Sequence, residues 1–285
     1  MNRELNFEGS SPLLYLVATP IGNLQEMTPR ALEVLGECDF IAAEDTRNSG
    51  ALMANFGIKK PFISCHEHNE AEAAERIVTL LKEGKKVCYM SDAGYPTLSD
   101  PGTRLVAKCL ESGIKISVTS GPSAAINALC CSGLDSSHFY FEGFLPANES
   151  ERNAELMELS KRKETLIFYE SPHRILKTLI AMAATLGDRK AVLARELTKK
   201  HEEFLRGTLS ELALEPENSL KGEMVIIVEG NCEEKEVSDT DLSLALREEL
   251  EWGRTGKEAI AAVTKNFKVP KKRVYDLYLK NFKGE

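Results

Sequence analysis

Between residues 13 and 131 the chain alternates short apolar runs with longer stretches in which apolar side chains recur every three or four positions. The runs Leu13–Ala18, Asp39–Ala43, Val87–Met90 and Ile114–Val118 are too short for helices and predict buried strands. The stretches between them carry helix signals. Thr28-Pro29 reads as an N-cap and first helical residue ahead of Ala31, Leu32, Val34 and Leu35. Asn69 precedes "EAEAAERIVTLLKE", which Gly84 closes, and Asp100-Pro101 precedes a helix running to about Ser112 and stopped by Gly113. "SGPSAA" opens a further helix through Cys131. After Phe139 the alternation resumes with strand "FYFEGF", helix 150–162, strand "TLIFYES", helix 172–186, and strands "KAVLAREL" and "EMVIIVEG". This order predicts an α/β fold with largely parallel sheets, in two units that meet near residues 120–135.

The tail changes character. Residues 233–251 hold eight acids and two bases and read as a linker entering a solvated helix. Residues 254–285 hold nine bases against three acids. "KEAIAAVTKNFKVPKKRVYDLYLKNF" reads as helix–turn–helix, with Ala259, Ile260, Ala262 and Val263 on one face and Val274, Leu277 and Tyr278 on the other. The expected organisation is a flexible segment 1–12, α/β domains 13–121 and 122–231, and a basic helical domain 236–285.

The net charge of −8 over 285 residues argues against nucleic acid binding across the whole surface and leaves the basic tail as a local exception. Seven cysteines, an odd number without C-x-x-C spacing, suggest neither a disulfide framework nor a zinc site, and read as buried thiols. No apolar run nears the roughly 20 residues of a membrane helix. The polar, acidic start lacks a signal-peptide core, so a cytoplasmic protein with no membrane partner is expected.

Four strand-end loops, "TPIGN" (19–23), "EDTR" (44–47), "SDAGYPTLSDPG" (91–102) and "SGPSAA" (120–125), open on one edge if the sheet is parallel. That edge is where ligands bind in open α/β folds. No G-x-G-x-x-G follows the first strand and no P-loop is present. The ligand of loop 91–102 should be polar and hydrogen-bonding, because helix caps account for Asp100-Pro101 but leave "SDAGYP" unexplained.

The blocks "LVATPIGNL", "AAEDTR", "HEHNE", "SDAGYPTLSDPG", "GPSA", "FEGFLP", "FYESPHR", "ARELTKKHEE" and "GEMVIIVEG" occur in this order. Together they resemble the bacterial small-subunit ribosomal RNA cytidine-2′-O-methyltransferases of the tetrapyrrole methylase superfamily, over about residues 13–230. The resemblance implies two α/β domains of the tetrapyrrole methylase type, a cleft between them for S-adenosylmethionine, and a homodimer. It implies cofactor contacts at Pro20 and Ile21 after the first strand, Asp92, Gly94 and Tyr95 in the long loop, Ser123 and Ala124 in "GPSA", and Tyr169, Leu197 and Met224 at strand ends of the second domain.

Methylating a ribose hydroxyl needs in-line alignment and help with the proton. Glu44 and Asp45 suit proton acceptance or ribose binding, with an N-cap or a pair with Arg47 as the plainer reading. His66 and His68 flank Glu67, but no third ligand is evident and no metal is expected. His66 then suits proton contact and His68 RNA contact, against a plain surface loop. Glu170 and His173 flank the helix start Ser171-Pro172. Arg47, Arg174 and Lys199, with Lys271, Lys272 and Arg273 in the tail, are candidates to meet RNA phosphates. The expected partner is small-subunit ribosomal RNA or the small ribosomal subunit. Two other readings stay open: a methyltransferase for a porphyrin-like molecule, and a metabolite-sensing regulator whose helix–turn–helix binds nucleic acid.

Overall fold

The computed structural model describes residues 5–6, 13–216, 219–232 and 238–282. The expected flexible segment 1–12 lies outside these residues except for Leu5 and Asn6. Residues 1–231 form one compact unit and residues 232–285 a second.

The first unit holds two five-stranded sheets. In the first sheet β1 (Leu13–Val17), β2 (Phe40–Ala43), β3 (Phe62–Ser64), β4 (Val87–Met90) and β5 (Lys115–Thr119) are all parallel, in the order β3-β2-β4-β1-β5. Cys88 and Met90 pack on one face with Val34 and Leu35 of α1 (Pro29–Glu37) and Met53 of α2 (Thr46–Asn55). Val87 and Tyr89 pack on the other with Ile77 and Leu81 of α3 (Glu70–Lys82) and Leu105 of α4 (Thr103–Glu111). Burial on both faces is why β4 is apolar at every position.

Thr28 caps α1 as expected, its hydroxyl accepting from the Ala31 N–H at 3.2 Å. The other two starts differ. Asn69 turns its side chain back onto the preceding loop, accepting from His66 N–H (2.8 Å) and donating to the Ser64 carbonyl (3.1 Å). Helix α4 begins at Thr103, two residues past Pro101, and Asp100 does not cap it. The buried carboxylate of Glu70, at the head of α3, accepts instead from the N–H groups of Gly102, Arg104 and Leu105 at 3.1, 2.7 and 3.1 Å. Gly102 has φ +127°, and a Cβ there would lie 2.5 Å from the Tyr89 ring. The Tyr89 hydroxyl in turn donates to the Pro101 carbonyl (2.8 Å).

The second sheet has the order β6-β7-β10-β8-β9, from β6 (Phe139–Phe144), β7 (Thr165–Glu170), β8 (Lys190–Arg195), β9 (Glu203–Thr208) and β10 (Met224–Val228). Only β6 and β7 are parallel, so this sheet is mixed where largely parallel sheets were expected. The charged run after β8 conceals a turn back into β9, and β10 inserts antiparallel between β7 and β8. One face packs on α6 (Glu149–Leu159), α7 (Ile175–Leu186) and α8 (Leu209–Leu212). Helix α7 starts at Ile175 rather than Pro172, because residues 171–174 form a turn. The other face packs on Ala125, Ala128 and Leu129 of α5 (Ala124–Ser132), and Ile21 of the first sheet's opening loop joins this cluster. Cys38, Cys65, Cys88 and Cys109 are buried, whereas Cys130 and Cys131 are exposed at the end of α5.

The second unit packs three helices, α9 (Asp239–Glu251), α10 (Gly256–Phe267) and α11 (Lys271–Phe282), around Leu242, Leu246, Ile260, Val263, Val274 and Leu277. The acidic segment is therefore more than a solvated helix, since Leu242 and Leu246 are fully buried. Capping boxes open α9 at Ser238 and α10 at Thr255. Among the described residues no helix is long and apolar enough to cross a membrane.

Candidate active site

Strands β1 and β4 lie side by side, and their outgoing loops are laced together. Thr19 N–H donates to the Gly94 carbonyl (2.9 Å) and Gly94 N–H to the Thr19 carbonyl (3.0 Å). The Thr19 hydroxyl donates to the Ser91 carbonyl (3.1 Å), and the Ser91 hydroxyl to the Gly94 carbonyl (3.0 Å). The Tyr95 hydroxyl accepts from Gly121 N–H (3.0 Å), joining the loop after β4 to the loop after β5. Thr97 and Ser99 sit at φ +75° and +63°. Such backbone costs about 1 kcal/mol or more per residue and persists only where its surroundings dictate it. Much of the polar content of "SDAGYPTLSDPG" thus shapes the loop itself.

The loop forms one wall of a cavity of about 290 Å³ between the two sheets. Ile21, Gly94, Tyr95, Leu98, Ser99 and Asp100 line it from the first sheet, Ser123 and Ala124 from the start of α5, and Phe144, Tyr169, Glu170, Leu197, Glu223, Met224 and Val225 from the second. Of the ten residues expected to contact a cofactor, eight line this cavity. Pro20 is buried outside it, and Asp92 is exposed and accepts from the Asn48 amide at 2.9 Å. Leu98, Ser99, Phe144, Glu170, Ser171, Pro172, Glu223 and Val225 were not expected as cofactor contacts, and Asp100 was read only as a cap. Their spacing along the chain carries no sign that they converge.

The electrostatics of this region are acidic. Burial, followed by the charges of Glu44 and Asp92, pushes the Asp100 carboxyl up to about 7. Burial and then Asp92 also raise Glu44. Burial raises the Tyr169 hydroxyl, which accepts from Ala125 N–H at 3.3 Å.

The expected catalytic residues lie outside the cavity lining. Glu44 is half-buried beside Asp92 and His66. Asp45 is the N-cap of α2, accepting from Arg47 N–H (2.8 Å) and pairing with the Arg47 guanidinium (3.1 Å), which holds it below the usual carboxylate range. The capping alternative therefore describes it. His66 is half-buried with its Nδ1 unpartnered, 6.1 Å between ring centres from the exposed His68.

Four of the expected phosphate ligands form ion pairs within the protein. Arg174 donates to the Leu145 carbonyl (2.8 Å) and pairs with Glu170 (3.3 Å), bolting the turn before α7 to the end of β6. Lys199 binds Glu196 (3.1 Å) and Glu223 (3.0 Å). Its stem fills the space a Cβ at Gly22 would need. Arg47 is largely exposed apart from its pair with Asp45, and Arg273 pairs with Asp239 (2.7 Å). Lys271 and Lys272 are exposed in the first turn of α11.

The cavity suits a ligand with an apolar body and polar ends. Ile21, Leu197, Met224, Val225 and Phe144 supply apolar wall, and Ser123 and the backbone at Gly94 supply hydrogen-bonding edges. Gly94 has φ +74°, and a Cβ there would project toward Ile21 (3.6 Å) and the Pro122 carbonyl (3.8 Å). Its absence lets a ligand approach the backbone. The volume falls near the lower end of small-ligand sites.

The sequence profile of the family described as Tetrapyrrole (Corrin/Porphyrin) Methylases matches residues 13–213. The chain is 45% identical over 290 aligned positions, 98% of each chain, to a Bacillus subtilis protein named Ribosomal RNA small subunit methyltransferase I. It is 53% identical over 222 positions, 76% of this chain and 78% of the other, to the Haemophilus influenzae protein of that name. Among solved structures, the Thermus thermophilus uroporphyrin-III-C-methyltransferase superposes with TM-score 0.53 at 20% identity, covering 76% of this chain and 94% of that one. The methyltransferase CobJ superposes with TM-score 0.59 at 16% identity, covering 79% and 96%. These last two show a common fold. The chain belongs to the tetrapyrrole methylase family and, within it, to the proteins named ribosomal RNA small subunit methyltransferase I.

Proposed function

We propose that the protein transfers a methyl group from S-adenosylmethionine to the ribose 2′-hydroxyl of a cytidine in small-subunit ribosomal RNA, in the cytoplasm and as a homodimer. The observation that carries this reading is the cavity walled by residues 94–100, Ser123, Ala124 and the ends of the second sheet, in a chain related over nearly its whole length to proteins named for ribosomal RNA methylation. The bound donor would supply a methyl group already activated by the positive charge on sulfur. The protein's task is to hold donor and hydroxyl in line at roughly 3 Å and to exclude water. Ile21, Leu197 and Met224 suit the apolar body of the donor, and Ser123 and the backbone at Gly94 its polar ends. Lys271 and Lys272 suit phosphates, which position an RNA without reading its sequence.

The test offers cofactor labelled in its methyl group with small ribosomal subunits, naked ribosomal RNA and uroporphyrinogen in parallel. Label should enter RNA as a 2′-O-methylcytidine, with subunits or RNA as the acceptor. Label confined to the tetrapyrrole would replace this reading with a porphyrin methylase, and no transfer to any acceptor would favour a regulator. Removing residues 236–285 should weaken RNA modification and spare cofactor binding in the remaining unit.

A further inference from the structure

We infer that Asp100 is the residue that takes the proton from the ribose hydroxyl, because among the described residues it is the cavity's one titratable side chain that nothing else in the protein engages. This rests on the ribose-methylating reading above. Five titratable side chains line the cavity: Tyr95, Asp100, Tyr169, Glu170 and Glu223. The Tyr95 hydroxyl is held by Gly121 N–H and that of Tyr169 by Ala125 N–H. Glu170 accepts from the Thr178 hydroxyl (2.6 Å) and Ser171 N–H (2.8 Å) and pairs with Arg174. Glu223 pairs with Lys199. The capping role that the sequence suggested for Asp100 is filled by Glu70.

The surroundings suit the task. Asp100 stands before Pro101 on the rim of a strained loop whose end is anchored at the Pro101–Gly102 peptide, its carbonyl by Tyr89 and its N–H by Glu70. The charged and titratable groups around it are Glu44 at the end of β2, Asp92 after β4, Tyr89 on β4 and Tyr169 on β7, with Glu70 behind the loop. Burial, and after it the two neighbouring carboxylates, oppose its ionisation, which gives it the basicity an ordinary aspartate lacks. A cation bound in the same cavity favours the charged form.

The step balances. Asp100 takes the proton from the 2′-hydroxyl as the oxygen forms its bond to the methyl carbon. The carbon–sulfur pair returns to sulfur, which leaves as a neutral thioether. Asp100 then releases its proton to solvent.

The test compares wild type with Asp100→Asn and Asp100→Glu in the full chain. Carbon-13 NMR of the unliganded protein should show one carboxyl titrating near 7 that is missing from Asp100→Asn. Calorimetry should give affinities for S-adenosylhomocysteine that agree within about threefold. Single-turnover methylation of the accepting RNA should fall by about 100-fold or more in Asp100→Asn, within the range general bases supply, and should lose its rise with pH. Asp100→Glu should recover part of the rate and the pH dependence. Three results would each overturn the assignment: an intact rate and pH profile in Asp100→Asn, an ordinary carboxyl titration at Asp100, or a loss confined to S-adenosylhomocysteine affinity. If Asp100→Asn does not fold, the wild-type titration and Asp100→Glu still decide. Failure of wild type to methylate any ribose would instead reject the proposed function, while the carboxyl titration continued to report on Asp100.

Discussion

Glu70 and Asp100 exchange the roles their sequence positions suggest. Asp100, read along the chain as a helix cap, stands two residues before the N-cap Gly102 and lines the cavity, whereas Glu70, at the head of α3, caps α4. Three N–H groups share one buried oxygen, so Glu70→Ala should destabilise the protein by about 2–4 kcal/mol in urea unfolding. Glu70→Gln keeps an acceptor and should lose only part of that. Gly102→Ala should cost a similar amount, because φ +127° and the Tyr89 ring both reject a side chain. The pH dependence has a definite sign at Asp100. Its folded carboxyl binds its proton up to about 7, against an ordinary 3.8. Folded protein therefore holds more protons than unfolded across that interval, and stability from this group, complete below about 4, is lost as pH rises through about 7. Asp100→Asn should flatten that part of the thermal stability profile between pH 4 and 8 and raise the melting temperature above pH 7.

Elements whose burial follows their own periodicity were legible before folding. Strand β4 is apolar throughout because helices cover both its faces, and α1 follows a Thr-Pro start with a hydroxyl cap in place. Elements that depend on a distant partner were not. Strand β9 opens in the charged run Lys199–Glu203 and is a strand because β8 offers it an edge. Helix α9 looks solvated until α10 and α11 cover Leu242 and Leu246. Helix α10 carries its own boundary signal, the Thr255–Glu258 capping box. Thr255→Ala should weaken that start by about 1 kcal/mol, which hydrogen exchange would record as roughly fivefold faster opening of amides in 256–267.

In the molecule taken whole, an acidic chain carries its excess of bases at one end. If α11 meets RNA phosphates, replacing Lys271 and Lys272 with Ala should lower the salt dependence of RNA binding by about 1–2 in the log–log slope. Affinity for S-adenosylhomocysteine should not change, and an unaltered slope would remove these lysines from the interface. The alternation of strands and helices, the glycines at 94 and 102 and the basic tail could be read along the chain, since each depends on neighbours a few residues away. So could eight residues of the cavity wall, through the family's motif blocks. Convergence could not. That Phe144, Glu223 and Asp100 face one space follows from how two sheets pack through α5 and Ile21, and that Arg174 and Lys199 are occupied follows from carboxylates brought to them by folding. Local periodicity selects elements, while charge pairing and burial between remote segments select which side chains remain available for chemistry.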